Sequence, residues 1–212
     1  MYRIPLKTNI QQRKVILKVC RQGFYFAVLL TVVLGLWCLS DLYKINTFAE
    51  YGLVENLQLA TLFVSSLIFL GSSIKKTFYR PILILLASLT SFCCIRELDS
   101  FFENFLPITS WKFAFLLPLG AILYLYTQRK NLKKSLFEFL ASPTFDLMFM
   151  AMIIFIPLAQ CIGHRSFIED AIGTSDNLIH IRRLIEESME FMAYVLILFS
   201  SIEMSFKVFK KD

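Results

Sequence analysis

The sequence FAVLLTVVLGLWCL at residues 26–39 contains no charged side chain and lies within a longer apolar run over residues 24–42. A helix that crosses the roughly 30 Å hydrocarbon core of a bilayer needs about 20 mostly apolar residues. The run is longer than the roughly 7–15 apolar residues of a cleaved signal peptide. Residues 37–40 also lack the pattern of small residues at which signal peptides are cleaved. The stretch therefore predicts a retained membrane-spanning helix.

Five more apolar runs of similar length follow along the chain. They cover residues 53–70, 81–101, 111–126, 145–162 and 184–202. None alternates apolar and polar residues, as the strands of a membrane barrel do. With 57% hydrophobic and 18% charged residues, the chain is more apolar and less charged than soluble domains, which have about 45–50% and about 25%. We therefore expect an all-α polytopic membrane protein, a bundle of six transmembrane helices that forms a single domain over residues 1–212.

Two of the six runs contain a proline. Pro118 lies close to Gly120 in the fourth run, and Pro157 lies in the fifth. Proline lacks the amide hydrogen of the helical ladder, and its ring collides with the preceding turn. We therefore expect a kink or tilt in the fourth helix and a bend in the fifth.

The charged residues divide between the two sides of the predicted bundle. Sixteen of the 22 Lys and Arg residues lie in the N-terminal stretch, the second and fourth connections and the C-terminus. Twelve of the 16 Asp and Glu residues lie on the other side. The positive-inside rule then predicts that both termini lie in the cytoplasm (N-in and C-in). We assign the basic residues to topology and to contact with lipid head groups, and not to nucleic acid, because no nucleic-acid-binding motif is visible.

Polar and ionisable side chains enter the predicted helices at the end that should face outward. A charge at the centre of a membrane helix costs about 2.5–3.5 kcal/mol, so such residues indicate a functional site. The predicted binding residues come from the second, third and sixth helices and are Glu55, Gln58, Arg96, Glu97, Glu187 and Glu190. Residues three or four positions apart share a helix face, which aligns Glu187 and Glu190. We expect Arg96 to neutralise part of this cluster, with Glu187 as its partner on the sixth helix.

Three functions fit such a site, besides a purely structural role in which ion pairs lock the bundle. The leading hypothesis is a non-enzymatic envelope component that binds an envelope protein or a lipid-linked ligand there. The second is a membrane-embedded enzyme that acts on a lipid-linked substrate at the outer leaflet, with Glu97, Glu187 and Glu190 as candidate general acids or bases. The third is a proton- or cation-coupled transporter of a small solute.

A divalent metal is the one cofactor that the sequence suggests. Its candidate ligands are Glu187, Glu190, His164 and His180, which offer the oxygen and nitrogen atoms that such ions accept. The signal is weak, because the chain contains no HExxH, ExxH or HxxxH motif and both histidines lie in a predicted loop.

The half of the bundle that should face the cytoplasm contains few polar residues. We expect Asp146 and Glu203 to lie at the interface with water. The serines within the helices are expected to be packing contacts, since small hydroxyl groups let helices approach closely and form hydrogen bonds. They are Ser65, Ser66, Ser72, Ser73, Ser88, Ser91, Ser200 and Ser201.

The chain contains five cysteines, and the sequence leaves open whether any of them form disulfides. Cys20 lies on the cytoplasmic side and should be reduced. Cys38 or Cys94 could pair with Cys161 in an oxidising compartment, but sequence does not determine connectivity. The simpler interpretation is that the cysteines near the outer helix ends, Cys93 among them, are small buried hydrophobic residues.

Four short motifs resemble a polar pattern in small bacterial polytopic inner-membrane proteins. They are VENLQ at 54–58, RELD at 96–99, WK at 111–112 and RRLIEESME at 182–190. The resemblance covers the second, third, fourth and sixth helices, and no established activity accompanies it. Alkaline-ceramidase-like membrane hydrolases also have polar residues at helix ends, but this chain lacks their paired histidine motif.

Overall fold

The computed structural model describes residues 6–43, 52–75, 77–98, 110–159 and 176–209. Within these ranges all regular structure is helical and no strand occurs. The helices are α1 (Leu6–Tyr43), α2 (Leu53–Lys75), α3 (Arg80–Glu97), α4 (Ser110–Phe113), α5 (Leu116–Thr127), α6 (Arg129–Leu140), α7 (Pro143–Ile153) and α8 (Asp176–Phe209). A π-helix, Ile154–Ala159, continues α7 directly.

Three of these helices are long and apolar enough to cross a membrane. The spans are Ile16–Leu36 in α1, Leu53–Lys75 in α2 and Ile181–Phe209 in α8. A fourth results if Leu132–Leu140 and Pro143–Ala159, which meet at a 74° bend, are one broken span. The described part of the chain is thus an all-helical protein with three or four candidate membrane spans.

Helix α8 is the centre of the bundle. It packs against α2, α7, the π-helix and α1, while α3 packs against α2 and α5. Its side chains Tyr194 and Met204 are fully buried, as are Leu62 and Phe69 of α2 and Leu83 of α3. The helices that enclose α8 therefore bury its middle from several sides, and polar groups on that helix lie within the protein.

Helix α1 lies at the edge of the bundle. Many of its large apolar side chains remain exposed, including Phe24, Phe26 and Leu30. An apolar surface of this kind is stable against lipid chains and unstable in water. The exposed face of α1 is therefore the expected contact with lipid.

Serine hydroxyl groups connect neighbouring helices, as expected for packing contacts. The Oγ atoms of Ser66 on α2 and Ser91 on α3 are 2.6 Å apart. The Ser200 hydroxyl on α8 donates a hydrogen bond to the carbonyl oxygen of Thr144 on α7 at 2.9 Å. These contacts confirm the packing role for Ser66, Ser91 and Ser200.

The fourth and fifth apolar runs form less regular helices than expected. Residues 114–115 form a turn between α4 and α5, so the break comes before Pro118. Pro118 lies in the first turn of α5, where its missing amide hydrogen costs little. Pro157 lies inside the π-helix, which is one way that a helix accommodates a proline.

Two helices extend beyond the expected boundaries, and one was not expected. Helix α1 begins at Leu6 and not near residue 24, and α8 covers Asp176–Phe209 and not only 184–202. Helical hydrogen bonding does not require apolar side chains, so these helices continue through their polar flanks. Helix α6 occupies a segment that the charge pattern assigned to a connection. Its exposed Leu136 and Phe137, together with exposed Lys133 and Lys134, are typical of a helix at a membrane surface.

Candidate functional site

Three helices bring polar side chains together at one end of the bundle. The start of α2, the end of α3 and the first half of α8 meet there. We call the group the arginine–carboxylate cluster, and it consists of Gln58, Arg96, Glu97, Glu187, Glu190 and Tyr194. The sequence-predicted residue Glu55 lies half-buried in the first turn of α2, one turn before Gln58.

Arg96 is the cation of the cluster and joins α3 to α8. Its Nη2 atom lies 2.7 Å from Glu97 Oε1 and 3.3 Å from Glu190 Oε1. The Tyr194 hydroxyl donates a hydrogen bond to the same Glu97 oxygen at 2.6 Å. The guanidinium carbon also lies 4.8 Å from the centre of the Phe155 ring, a cation–π distance. Arg96 is thus held by two carboxylates and an aromatic face.

The partner of Arg96 on α8 is different from the one that the sequence predicted. We expected Glu187, but the described contacts of Arg96 on α8 are with Glu190 and Tyr194, and Glu187 interacts with Gln58. The reason is the direction in which each of these side chains points from α8. Glu190 and Tyr194 lie one turn apart on the side of α8 that faces α3, while the Glu187 side chain faces α2.

Gln58 connects α2 to α8 and leaves one buried atom without a partner. The side chain is fully buried. Its Nε2 atom donates hydrogen bonds to the backbone oxygen and to Oε2 of Glu187, both at 3.0 Å. Since both neighbours of Nε2 are acceptors, the orientation of the amide is fixed. Its Oε1 atom has no hydrogen-bond partner among the described residues, and such a buried acceptor costs about 1–3 kcal/mol.

The metal hypothesis finds no support in the described part of the chain. Within it, no group of three or more His, Cys, Asp or Glu side chains is placed to hold a metal ion. His164 lies outside the described residues, as does the side chain of His180. Glu187 and Glu190 are members of the cluster, but their described partners are Gln58 and Arg96.

A second polar group lies near the opposite end of α8, and the sequence interpretation missed it. Glu203 was expected at the water interface, but it is 5% exposed. Its Oε1 atom lies 2.5 Å from Nε of Arg21 and accepts a hydrogen bond from the Tyr25 hydroxyl at 2.5 Å. The expectation was wrong because α1 covers this carboxylate. The spacing of Arg21 and Tyr25, four residues apart on α1, indicates that they share a helix face, but it does not indicate that they meet Glu203.

Tyr79 joins the connection between α2 and α3 to α6 and α8 at this same end. Its hydroxyl donates a hydrogen bond to a carboxylate oxygen of Glu138 on α6. Lys207 of α8 donates to the backbone oxygen of Glu138 at 2.9 Å, and its Nζ lies 4.9 Å from the centre of the Tyr79 ring. Burial, followed by the hydrogen bond to Glu138, raises the pKa of Tyr79 well above its usual value.

The described cysteines are thiols. Cys20, Cys38, Cys93 and Cys94 are unpaired, and Cys94 is buried. Both disulfides considered from the sequence involve Cys161, which lies outside the described residues.

Comparison of the chain with protein-family models, with curated proteins and with solved structures found no match. The chemistry of the arginine–carboxylate cluster is therefore the basis on which a function is inferred.

Proposed function

We propose that this chain is a polytopic protein of the bacterial inner membrane whose arginine–carboxylate cluster binds an ammonium or guanidinium group of a ligand or partner protein. The proposal includes six membrane spans, both termini in the cytoplasm and a cluster that faces outward. The observation that carries it is the buried Gln58 Oε1, which lies beside a carboxylate and has no hydrogen-bond donor among the described residues. A cationic N–H group satisfies such an acceptor and the carboxylate together.

The charges of the cluster favour a cationic ligand. The cluster contains three carboxylates and one guanidinium, so its formal charge is negative. Arg183 and Glu186 both interact electrostatically with Glu187, and together they add one positive and one negative charge. The Arg96 side chain is 31% exposed, so the cluster reaches the surface of the bundle. A cation that approaches from that surface meets an excess of carboxylates and a buried carbonyl oxygen.

A small amine tests this binding directly. Ethylammonium chloride should raise the melting temperature of the purified protein in detergent, whereas tetramethylammonium chloride, a cation without N–H donors, should not. At ten times its Kd, a ligand that binds only the native state adds about 1.4 kcal/mol to the free energy of unfolding. The increase should disappear in Gln58→Leu and in Glu187→Gln.

Gln128→Leu is the matched control, since it makes the same change at an exposed glutamine after α5. It should retain the full response to ethylammonium. The proposal is wrong if both cations raise the melting temperature equally, or if Gln58→Leu responds as the wild type does.

The proposed topology makes a separate prediction. The sum of formal charges is about +12 on the proposed cytoplasmic side and about −6 on the other, which favours both termini inside. Alkaline phosphatase, which is active only outside the cytoplasm, should be active when fused after residue 105 and inactive after residue 78 or residue 212. Green fluorescent protein at these positions should give the opposite pattern. An active phosphatase at residue 212 would contradict the proposed orientation.

A further inference from the structure

A groove lies between α1, the start of α7 and the end of α8, away from the arginine–carboxylate cluster. We call it the C-terminal groove, and its volume is about 570 Å³. This volume falls within the range of about 300–1,000 Å³ that is typical of small-molecule sites. The lining residues used below are Arg21, Thr144, Glu203, Phe206, Lys207 and Phe209. The groove is independent of the proposed cation site, because Glu203 lies thirteen positions, or about 20 Å of helix, beyond Glu190.

The charges in the groove favour an anion. Arg21 contacts Glu203 through Nε at 2.5 Å, and each of its two Nη atoms carries N–H donors. Lys207, whose ammonium donates to the backbone oxygen of Glu138, also lines the groove and adds a positive charge at its edge. The start of α7, at Pro143 and Thr144, adds the positive end of a helix dipole. Glu203 is buried, so the exposed part of this pair belongs to Arg21, whose side chain is 38% exposed.

The apolar part of the groove favours a lipid over a free anion. Phe206 and Phe209 line it and are 63% and 54% exposed. An exposed aromatic ring next to a cationic site matches a phospholipid, which has acyl chains below its phosphate. The groove also lies at the end of the bundle where the basic residues concentrate, and anionic lipids attract such residues.

We propose that the C-terminal groove binds the head group of an anionic phospholipid. The two Nη atoms of Arg21 donate hydrogen bonds to its phosphate, and Lys207 adds charge. Phe206 and Phe209 contact the first methylene groups of its acyl chains. An arginine with two donors in one plane is well suited to two phosphate oxygens.

Native mass spectrometry of the purified full chain in detergent, titrated with phosphatidylglycerol and with phosphatidylethanolamine, tests this proposal. The wild type should retain phosphatidylglycerol more tightly. Arg21→Lys preserves a cation beside Glu203, so the protein still folds, but it loses the planar pair of donors. We expect this variant to bind phosphatidylglycerol about tenfold more weakly. Lys18→Gln removes an exposed cation one turn earlier on α1 and should change the affinity less than twofold.

A second variant separates a lipid from a free phosphate. Phe209→Ser should weaken phosphatidylglycerol binding, since it removes an acyl contact, and inorganic phosphate at equal concentration should not displace the lipid. Displacement by inorganic phosphate would overturn the proposal. The proposal would also be overturned if the wild type retained the two lipids equally, or if Arg21→Lys left the affinity for phosphatidylglycerol unchanged. An equal loss of that affinity in Lys18→Gln would overturn it as well.

Discussion

Arg96→Gln is expected to lower the free energy of unfolding by about 3 kcal/mol, because it removes the cation that contacts the buried carboxylate of Glu190. The change also removes the charge-assisted hydrogen bonds to Glu97. Titration with sodium dodecyl sulfate, followed by circular dichroism at 222 nm, measures the loss. Lys133→Gln, which removes an exposed cation on α6, is the control and should change the free energy by less than about 0.5 kcal/mol.

A double-mutant cycle identifies the partner of Arg96 on α8. Coupling between Arg96→Gln and Glu190→Gln should exceed about 1 kcal/mol, because the two side chains are in contact. Coupling between Arg96→Gln and Glu187→Gln should be smaller, since Glu187 is hydrogen-bonded to Gln58. A larger coupling energy with Glu187→Gln than with Glu190→Gln would contradict the described geometry and favour the pair that the sequence suggested.

Arg21→Met is expected to have an effect of similar size at the other end of the bundle. Among the described residues it leaves buried Glu203 with only the Tyr25 hydroxyl as a partner, and an uncompensated buried charge costs about 3–5 kcal/mol. The value should fall at the low end of this range, since Arg21 is partly exposed. Lys18→Met, on the same helix, should have little effect on the unfolding titration.

Glu203→Met in the Arg21→Met background should restore most of the lost stability. Replacing both members of a buried ion pair by apolar residues is often neutral or stabilising. The restored protein would show that the loss in Arg21→Met comes from the uncompensated carboxylate. A double variant that is less stable than Arg21→Met would contradict this explanation, because it would mean that Glu203 stabilises the bundle without its cation.

The sequence predicts the membership of the arginine–carboxylate cluster better than its contacts. Polar residues are rare within apolar runs, and the helical repeat places Glu187 and Glu190 close to one face, so the group was recognisable. Which of the two meets Arg96 depends on how α8 is rotated against α2 and α3. That rotation is set by packing across the bundle, and the spacing of residues along one helix does not reveal it.

Glu203, in contrast, belongs to a polar group whose membership the sequence did not predict. It lies among basic residues near the end of an apolar run, which is the pattern of an interfacial carboxylate. Its burial comes from α1, whose Tyr25 ring stacks on Phe199 with centroids 4.4 Å apart. A contact between residues 178 positions apart, such as that of Tyr25 with Glu203, has no local signature. The helical fold was predictable because it depends on local composition, and the second polar group was not because it depends on which helices are neighbours.

The π-helix after α7 changes which side chains enter the core. Two turns of an uninterrupted α-helix take about seven residues, so the buried Ala151 would be followed on the same face by Leu158. Leu158 is instead 43% exposed and Ala159 is fully buried. The wider turn therefore acts as a one-residue insertion, which shifts by one position the residues of this helix that face the core. It places the Ala159 methyl group in the core where a bulky leucine side chain would otherwise lie, and the Phe155 ring of the same π-helix extends to Arg96.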